Sequence, residues 1–139
     1  MSNNIIRFED YSKQVIDAID RGILNALEEV SGELEGRVKD NTREDTGKTK
    51  ASWSHKVDEA KHEAYVGSNY ENAIWEEFGT GTEALNGNSR KDVPWVYRSE
   101  DGKWHRTKGK KPSRALKLAS DNIDSLIKEY FKERFKNLW

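Results

Sequence analysis

One apolar stripe runs through the first third of the chain and predicts a single long helix from about residue 10 to residue 40. At about 1.5 Å per residue, a helix of about 30 residues is ~45 Å long. A compact chain of 139 residues is only about 37 Å across. The helix is therefore predicted either to project from the folded body or to bend at a glycine. The stripe consists of Phe8, Tyr11, Val15, Ile19, Ile23, Ala26, Leu27, Val30, Leu34 and Val38.

Two β-hairpins are predicted from alternating side chains and turn residues. Ser52–Val57 and His62–Val66 both alternate in polarity, and a short polar turn joins them. Further along, Trp95–Tyr97 and Trp104–Arg106 flank a turn that contains Asp101-Gly102. Strands that are adjacent in sequence and joined by short turns pair antiparallel.

A short helix is predicted between the hairpins, at residues 69–78. Ser68 and Glu71 are three residues apart, which is the spacing of a capping box. Gly79 supplies the residue with positive φ at which helices commonly end. The apolar face of this helix is predicted to pack on the sheet, and it consists of Ala73, Ile74 and Phe78.

A second long helix is predicted to open at Pro112 or Ser113 and to continue to the end of the chain. Its apolar stripe consists of Leu116, Ala119, Ile123, Leu126, Ile127, Tyr130, Phe131, Phe135 and Leu138.

These elements predict an α+β fold: an antiparallel sheet of about four strands in two hairpins, packed against long N- and C-terminal helices, plus one short helix. We expect one domain, residues 1–139, because the length suits one. Within it, residues 1–9 are predicted to be a loose arm. Residues 79–93 and 98–111 are predicted to be flexible loops, because both are rich in glycine or polar residues.

The composition indicates a thin core and an uneven charge. Charged residues make up 35% of the chain and hydrophobic residues 34%, so some apolar surface is expected to be completed by a partner. Residues 1–89 hold 10 basic and 18 acidic side chains, whereas residues 90–139 hold 14 basic and 7 acidic side chains. The chain has no cysteine and no run near the roughly 20 apolar residues of a membrane span, so we expect a soluble protein without disulfides.

Three patterns resemble catalytic motifs, and each is better explained as structure. Asp45-Thr46-Gly47 is the aspartic-protease triplet, but charged residues surround it, whereas that catalytic aspartate needs an apolar strand. Gly79-Thr80-Gly81-Thr82 lacks the lysine of a P-loop and follows a helix C-terminus, which disfavours phosphate. Adjacent helical residues point about 100° apart, so Glu76 and Glu77 cannot face each other as an acid–base pair. We expect Glu76 to be solvated and Glu77 to be partly buried.

Metal and cofactor sites are not predicted either. The three histidines, His55, His62 and His105, are scattered and have no ligand-like spacing. We therefore expect no catalytic residue, metal, cofactor or small-molecule substrate.

A basic segment, residues 103–117, is the strongest candidate for an interaction surface. It holds seven cations, with no acid between Asp101 and Asp121, and Trp104 lies inside it. Docking of an acidic partner is the first interpretation, simple solvation the second, and sequence-independent DNA contact through phosphates and stacking the third. The cations are Lys103, Arg106, Lys108, Lys110, Lys111, Arg114 and Lys117.

Three segments together resemble one protein family. They are Asp45-Thr46-Gly47, then Tyr70 through Glu77-Phe78-Gly79-Thr80-Gly81, then Lys108-Gly109-Lys110-Lys111-Pro112 leading into the last helix. In this order and spacing, over about residues 10–130, the chain is similar to the tail-completion proteins of tailed bacteriophages and prophages. These are minor structural proteins of the head–tail joining region, or neck.

The resemblance implies a non-enzymatic role at the head–tail interface of the virion, after assembly in the host bacterial cytoplasm. It implies copies of the chain in a ring, with the tail-tube or tail-terminator protein and the head connector as neighbours, and DNA passing through the ring. No membrane partner is implied. From another class of function, the residues leave open a small nucleic-acid-binding module that uses the segment 103–117.

Overall fold

A computed structural model describes residues 5–44, 47–85 and 92–136. The α+β prediction is confirmed, with four strands in two antiparallel hairpins among the described residues and long helices near both ends. In chain order the elements are α1 (Ser12–Asn41), α2 (Lys48–Ser52), β1 (Trp53–Asp58), β2 (Glu63–Ser68), α3 (Glu71–Phe78), a 3-10 turn (Gly81–Glu83), β3 (Trp95–Arg98), β4 (Trp104–Thr107), α4 (Ala115–Ser120) and α5 (Ile123–Phe135).

Helix α1 is the axis of the fold. It runs for 30 residues without interruption, and residues 12–17 at its start are all exposed, so its first turns project from the folded body. Helix α5 packs along it in the opposite direction, and the ring of Phe135 reaches Gly22, where an added Cβ would lie 2.9 Å from Cε1. An ion pair between Glu29 and Arg134 also joins the two helices. The residues of α1 before Gly22 therefore extend past the end of α5.

The two hairpins form separate two-stranded sheets. In the first, Trp53 pairs with Ser68 and Asp58 with Glu63, and this sheet lies against α1. In the second, Trp95 pairs with Thr107 and Arg98 with Trp104.

The core is small and rich in alanine. Its buried residues are Val38, Trp53, Ala73, Ala115 and Ala119. Alanine lets the helices approach closely but removes little apolar area from water, which fits the thin core predicted from composition. The Trp53 indole donates to Thr42 Oγ1 at 2.9 Å, so the largest core side chain also has its polar atom satisfied.

The last helix differs from its prediction. It begins at Ala115 rather than at Pro112 or Ser113, and it is divided into α4 and α5 at Asp121 and Asn122. Asn122 has φ of 64°, a left-handed conformation that asparagine tolerates better than most residues and that interrupts a helix. The apolar stripe continues across this break, so periodicity alone could not reveal it.

Both segments predicted to be loops contain some regular structure. Within 98–111, residues 104–107 form β4 and residues 108–110 are hydrogen-bonded to residues 80–82. Within 79–93, Gly81–Glu83 form a 3-10 turn, and residues 86–91 lie outside the described part of the chain. No helix of the described segments is both long and apolar enough to cross a membrane.

Candidate functional site

Helix α3 presents a different face to the core from the one predicted. Ala73 is buried, but Ile74 and Phe78 are exposed, and the other buried residues of α3 are two glutamates. Glu76 is 4% exposed and Glu77 is 7% exposed, so the prediction that Glu76 is solvated is wrong. Buried carboxylates are costly unless they are paired and hydrogen-bonded. This acidic pair, Glu76 and Glu77, is therefore the feature of the structure that most needs explanation.

The predicted capping box at the start of α3 is also wrong. The N-cap residue is Tyr70, without a side-chain cap, and Glu71 is the first residue of the helix. The Ser68 hydroxyl instead accepts a hydrogen bond from the Tyr70 backbone N–H at 3.0 Å and pairs with the Ser52 hydroxyl at 2.6 Å. Ser68 thus joins the end of β2 to α2 rather than capping α3.

Glu77 caps helix α4. Its carboxylate accepts hydrogen bonds from the backbone N–H groups of Leu116 at 2.9 Å and Lys117 at 3.1 Å. These are among the N–H groups at the start of a helix that have no partner within the helix, and the positive end of the helix dipole favours an anion there. The Arg114 guanidinium lies 3.8 Å from the same carboxylate and over the ring of Phe78 at 5.3 Å. Glu77 therefore fixes the position of the last part of the chain.

Glu76 holds the segment that leads into α4. Its carboxylate is paired with Arg43 Nε at 3.2 Å and with the ammonium group of Lys110. Its backbone carbonyl accepts hydrogen bonds from the N–H and the hydroxyl of Ser113, at 2.6 and 3.0 Å. Arg43 also donates to the carbonyl of Lys111 at 2.5 Å, so one arginine bridges the acidic pair and the basic segment.

The glycines after α3 allow two backbone segments to cross. Thr80 N–H donates to the Lys110 carbonyl at 2.9 Å, and Lys110 N–H donates back to Thr80 at 3.2 Å. An added Cβ on Gly81 would lie 2.0 Å from the Lys108 carbonyl oxygen, and one on Gly109 would lie 2.1 Å from that of Thr80. Gly81 also has φ of +61°. Only residues without a side chain fit this crossing.

The basic segment is consequently not a uniform cationic surface. Lys110 and Arg114 are paired with the acidic pair, and Lys117 pairs with Asp121 at 3.6 Å. Lys103 lies 3.8 Å from Asp101, where both side chains are exposed. Among the described residues, the cations of this segment without an ion pair are Arg106, Lys108 and Lys111.

The β3–β4 hairpin carries exposed aromatic and cationic side chains. Alternate residues of a strand share a face, so the pairing places Val96, Arg98, Trp104 and Arg106 together, and we call these four residues the hairpin face. Trp104 is 69% exposed, and the Arg98 guanidinium lies 6.0 Å from the centre of its ring. On the opposite face, the rings of Tyr97 and His105 stack at 5.2 Å.

His55 forms the other charged cluster, between α1 and β1. Its two ring nitrogens lie 2.6 Å from Glu28 and 2.5 Å from Glu35, which are seven residues apart on α1. The hydrogen bonds to Glu28 and then to Glu35 raise the pKa of His55, and the bond to His55 lowers the pKa of Glu35. Among the described residues, no three or more histidine, aspartate or glutamate side chains are grouped so that they could hold a metal ion.

Of the predicted motif residues, Glu77, Phe78, Gly79 and Thr80 lie together against the basic segment. Gly47 precedes α2 with φ of 79°, while Asp45 and Thr46 lie outside the described residues. The sequence did not identify Arg43 and Ser113 as partners of Glu76, because no local pattern shows that residues this far apart in the chain come into contact. A scan against family models, a search of curated proteins and a search of solved structures each find no match to this chain.

Proposed function

We propose that this protein is a non-enzymatic structural component of a bacteriophage or prophage, a tail-completion or neck protein that joins tail to head. One observation carries the proposal: both carboxylates of the acidic pair, beside the Phe78-Gly79-Thr80 turn, bind residues of the segment 108–117. The segment that most resembles the family thus stabilises the fold and has no catalytic role in this proposal. A stabilising motif of this kind suits a protein that acts by binding its partners through its surface.

The exposed apolar residues support a role in assembly. Large apolar side chains are exposed on the first turns of α1 and on the β3–β4 hairpin, although the chain has only a thin core. Soluble monomers rarely expose large contiguous apolar patches, and such patches mark interaction sites. In the proposed setting the partners are other copies in a ring, the tail-tube or tail-terminator protein and the head connector, with DNA in the channel.

Removal of the gene from its phage or prophage tests the proposal. We expect lysates to contain DNA-filled heads and complete tails that are not joined, as seen by electron microscopy. Adding the purified protein to such a lysate should restore joined, infectious particles. Normal joined particles in the absence of the protein would refute the proposed role.

Charge reversal separates surface function from folding. Lys108 and Lys111 have no ion pair among the described residues, so Lys108→Glu with Lys111→Glu should leave the monomer folded while reducing particle joining. Lys110→Glu is the contrasting variant, because it places a carboxylate beside the buried Glu76 and should destabilise the fold itself. Unchanged joining by the folded double variant would remove these two lysines from the assembly surface.

A nucleic-acid-binding module is the second candidate, favoured by one observation. The hairpin face combines an exposed tryptophan with two arginines, and Lys108 follows directly in the chain. Stacking on aromatic rings beside cations is how many proteins hold single strands. This candidate predicts a gel shift with single-stranded DNA that weakens steeply with salt and is lost in Trp104→Ala. The absence of a shift at low salt would exclude it.

A further inference from the structure

The beginning of α1 and the residues before it form an apolar arm that the described part of the chain leaves uncovered. Phe8 is 93% exposed, and Ile5, Ile6, Tyr11, Val15 and Ile16 are exposed as well. Val15 belongs to the helical stripe that becomes buried further along α1, at Ala26, Val30 and Val38, while Phe8 and Tyr11 precede the helix. Residues 5–17 therefore expose large apolar side chains that no other described residue covers. We call residues 5–17 the N-terminal arm.

The hairpin face is a second surface that stays exposed among the residues the structure describes. Val96 and Trp104 are exposed on it, beside Arg98 and Arg106. A two-stranded sheet is marginal in water unless it packs against something. The hairpin tip is tied to the body by an exposed ion pair between Lys48 and Glu100 at 2.5 Å.

These two surfaces lie at opposite ends of the molecule. Lys48, which contacts the hairpin tip, follows α1 by only a few residues, and Asn41 at the end of α1 donates to the Ala115 carbonyl at 3.3 Å. The hairpin is thus at the C-terminal end of α1, whereas the arm is at its N-terminal end. A helix of 30 residues separates its two ends by about 45 Å. The arm of one chain cannot reach the hairpin face of the same chain.

The net charges of the two surfaces are opposite in sign. The arm carries three acids, Glu9, Asp10 and Asp17, and two cations, Arg7 and Lys13, so its net charge is -1. Residues 95–111 hold six cations and two acids, and the cations on and beside the hairpin face are Arg98, Arg106 and Lys108. Apolar contact between the two surfaces would supply affinity, and the opposite charges would set the orientation.

We propose that the N-terminal arm of one chain docks on the hairpin face of a second copy. The contact is head to tail, since each copy uses one surface as donor and the other as acceptor. Repeated contacts of this kind close into a ring or continue as a filament, depending on the rotation between copies. This inference deepens the proposed function by naming the partner of its surfaces, but it concerns the free protein and can be tested without any particle.

A mixing experiment with two variants tests the head-to-tail contact. Phe8→Asp damages the arm and leaves the hairpin face intact, whereas Trp104→Ala does the reverse. We expect the natural chain to form species above the 16.1 kDa of one chain in light scattering, and each variant alone to lose them. An equal mixture of the two variants should recover one productive contact per pair. It should form complexes of about two chains and no larger ones.

Control variants carry similar exposed side chains outside both surfaces. Tyr65, on β2, is 56% exposed and Leu118, on α4, is 54% exposed. Tyr65→Asp and Leu118→Asp should retain full self-association. Phe8 lies before α1 and touches none of the core, so circular dichroism of its variant should match the natural chain.

Cysteine cross-linking gives an independent measurement, because the chain has no cysteine of its own. Phe8→Cys and Trp104→Cys chains should form a mixed disulfide dimer under mild oxidation, well above the yield with Leu118→Cys in place of Trp104→Cys. A natural chain that remains at the mass of one chain over the whole accessible concentration range would overturn the proposal. So would Phe8→Asp abolishing association without recovery in the mixture, since that result would indicate pairing of arm with arm. Failure of particle joining alone would count only against the proposed function.

Discussion

Replacing Glu77 by alanine should destabilise the fold by removing the cap of α4. The Glu77 carboxylate accepts hydrogen bonds from two backbone N–H groups, those of Leu116 and Lys117, in a site that is 7% exposed. Loss of a helix N-cap costs about 0.5–2 kcal/mol. A buried donor left without its partner costs about 1–3 kcal/mol. Because these contributions overlap, we expect a loss of about 2–4 kcal/mol in the free energy of unfolding.

Urea denaturation monitored by tryptophan fluorescence measures this loss. With a slope of about 2 kcal/mol per molar, the midpoint should fall by about 1–2 M. Glu77→Gln keeps an acceptor oxygen but loses the charge, so its midpoint should lie between those of the natural chain and the alanine variant. Glu83→Ala is the matched control, since Glu83 is an exposed acid a few residues away, and it should change the free energy by less than about 0.5 kcal/mol.

Amide hydrogen exchange locates the effect. Loss of the cap should reduce protection at Leu116 and Lys117 more than at α1. Two results would refute the role of Glu77 as a specific cap. One is a change below about 0.5 kcal/mol in the free energy of unfolding of Glu77→Ala, and the other is a uniform loss of amide protection over the whole chain.

Two further predictions concern pH and glycine. His55 has a pKa raised by Glu28 and Glu35, so its contribution to stability is complete below its ordinary value of 6.5 and is lost as pH rises through the raised folded value. The Tm should therefore fall as pH increases above 6.5, and His55→Gln should flatten that part of the profile; an identical profile would contradict the assignment. Gly36 has open space around a Cβ and lies inside α1, so Gly36→Ala should raise the free energy of unfolding by about 0.5–1 kcal/mol. Gly81→Ala should lower it by more than 2 kcal/mol, roughly the cost of an overpacked contact, and equal effects of the two changes would refute the crossing geometry.

Elements governed by local patterns could be predicted from the sequence. The stripe of α1 gave its bounds within two residues, because helical periodicity persists over 30 residues. The Asp101-Gly102 pair predicted the turn of the β3–β4 hairpin. In the structure Gly102 adopts φ of +84°, a conformation that glycine reaches more easily than other residues. Both features depend on residues close together in the chain.

The orientation of α3 could not be predicted in this way. Hydropathy favours burying Ile74 and Phe78 and exposing Glu76, whereas the structure does the opposite. The reason is that Arg43 and Lys110, both distant in sequence, supply the charges that make burial of Glu76 tolerable. A carboxylate can be identified as a buried structural residue only when its partners are known.

The crossing between residues 80–82 and 108–110 has a consequence for how such a protein can evolve by insertion. Thr82 N–H donates to the Lys108 carbonyl at 3.0 Å, so the chain leaves and re-enters the body at nearly the same point. Everything between, including the hairpin, is an insertion whose ends are already joined. Extending a closed loop costs only about 0.6 kcal/mol for each doubling of its length. A foreign hairpin could therefore be grafted between Thr82 and Lys108, giving the same body a new recognition surface without redesign of its core.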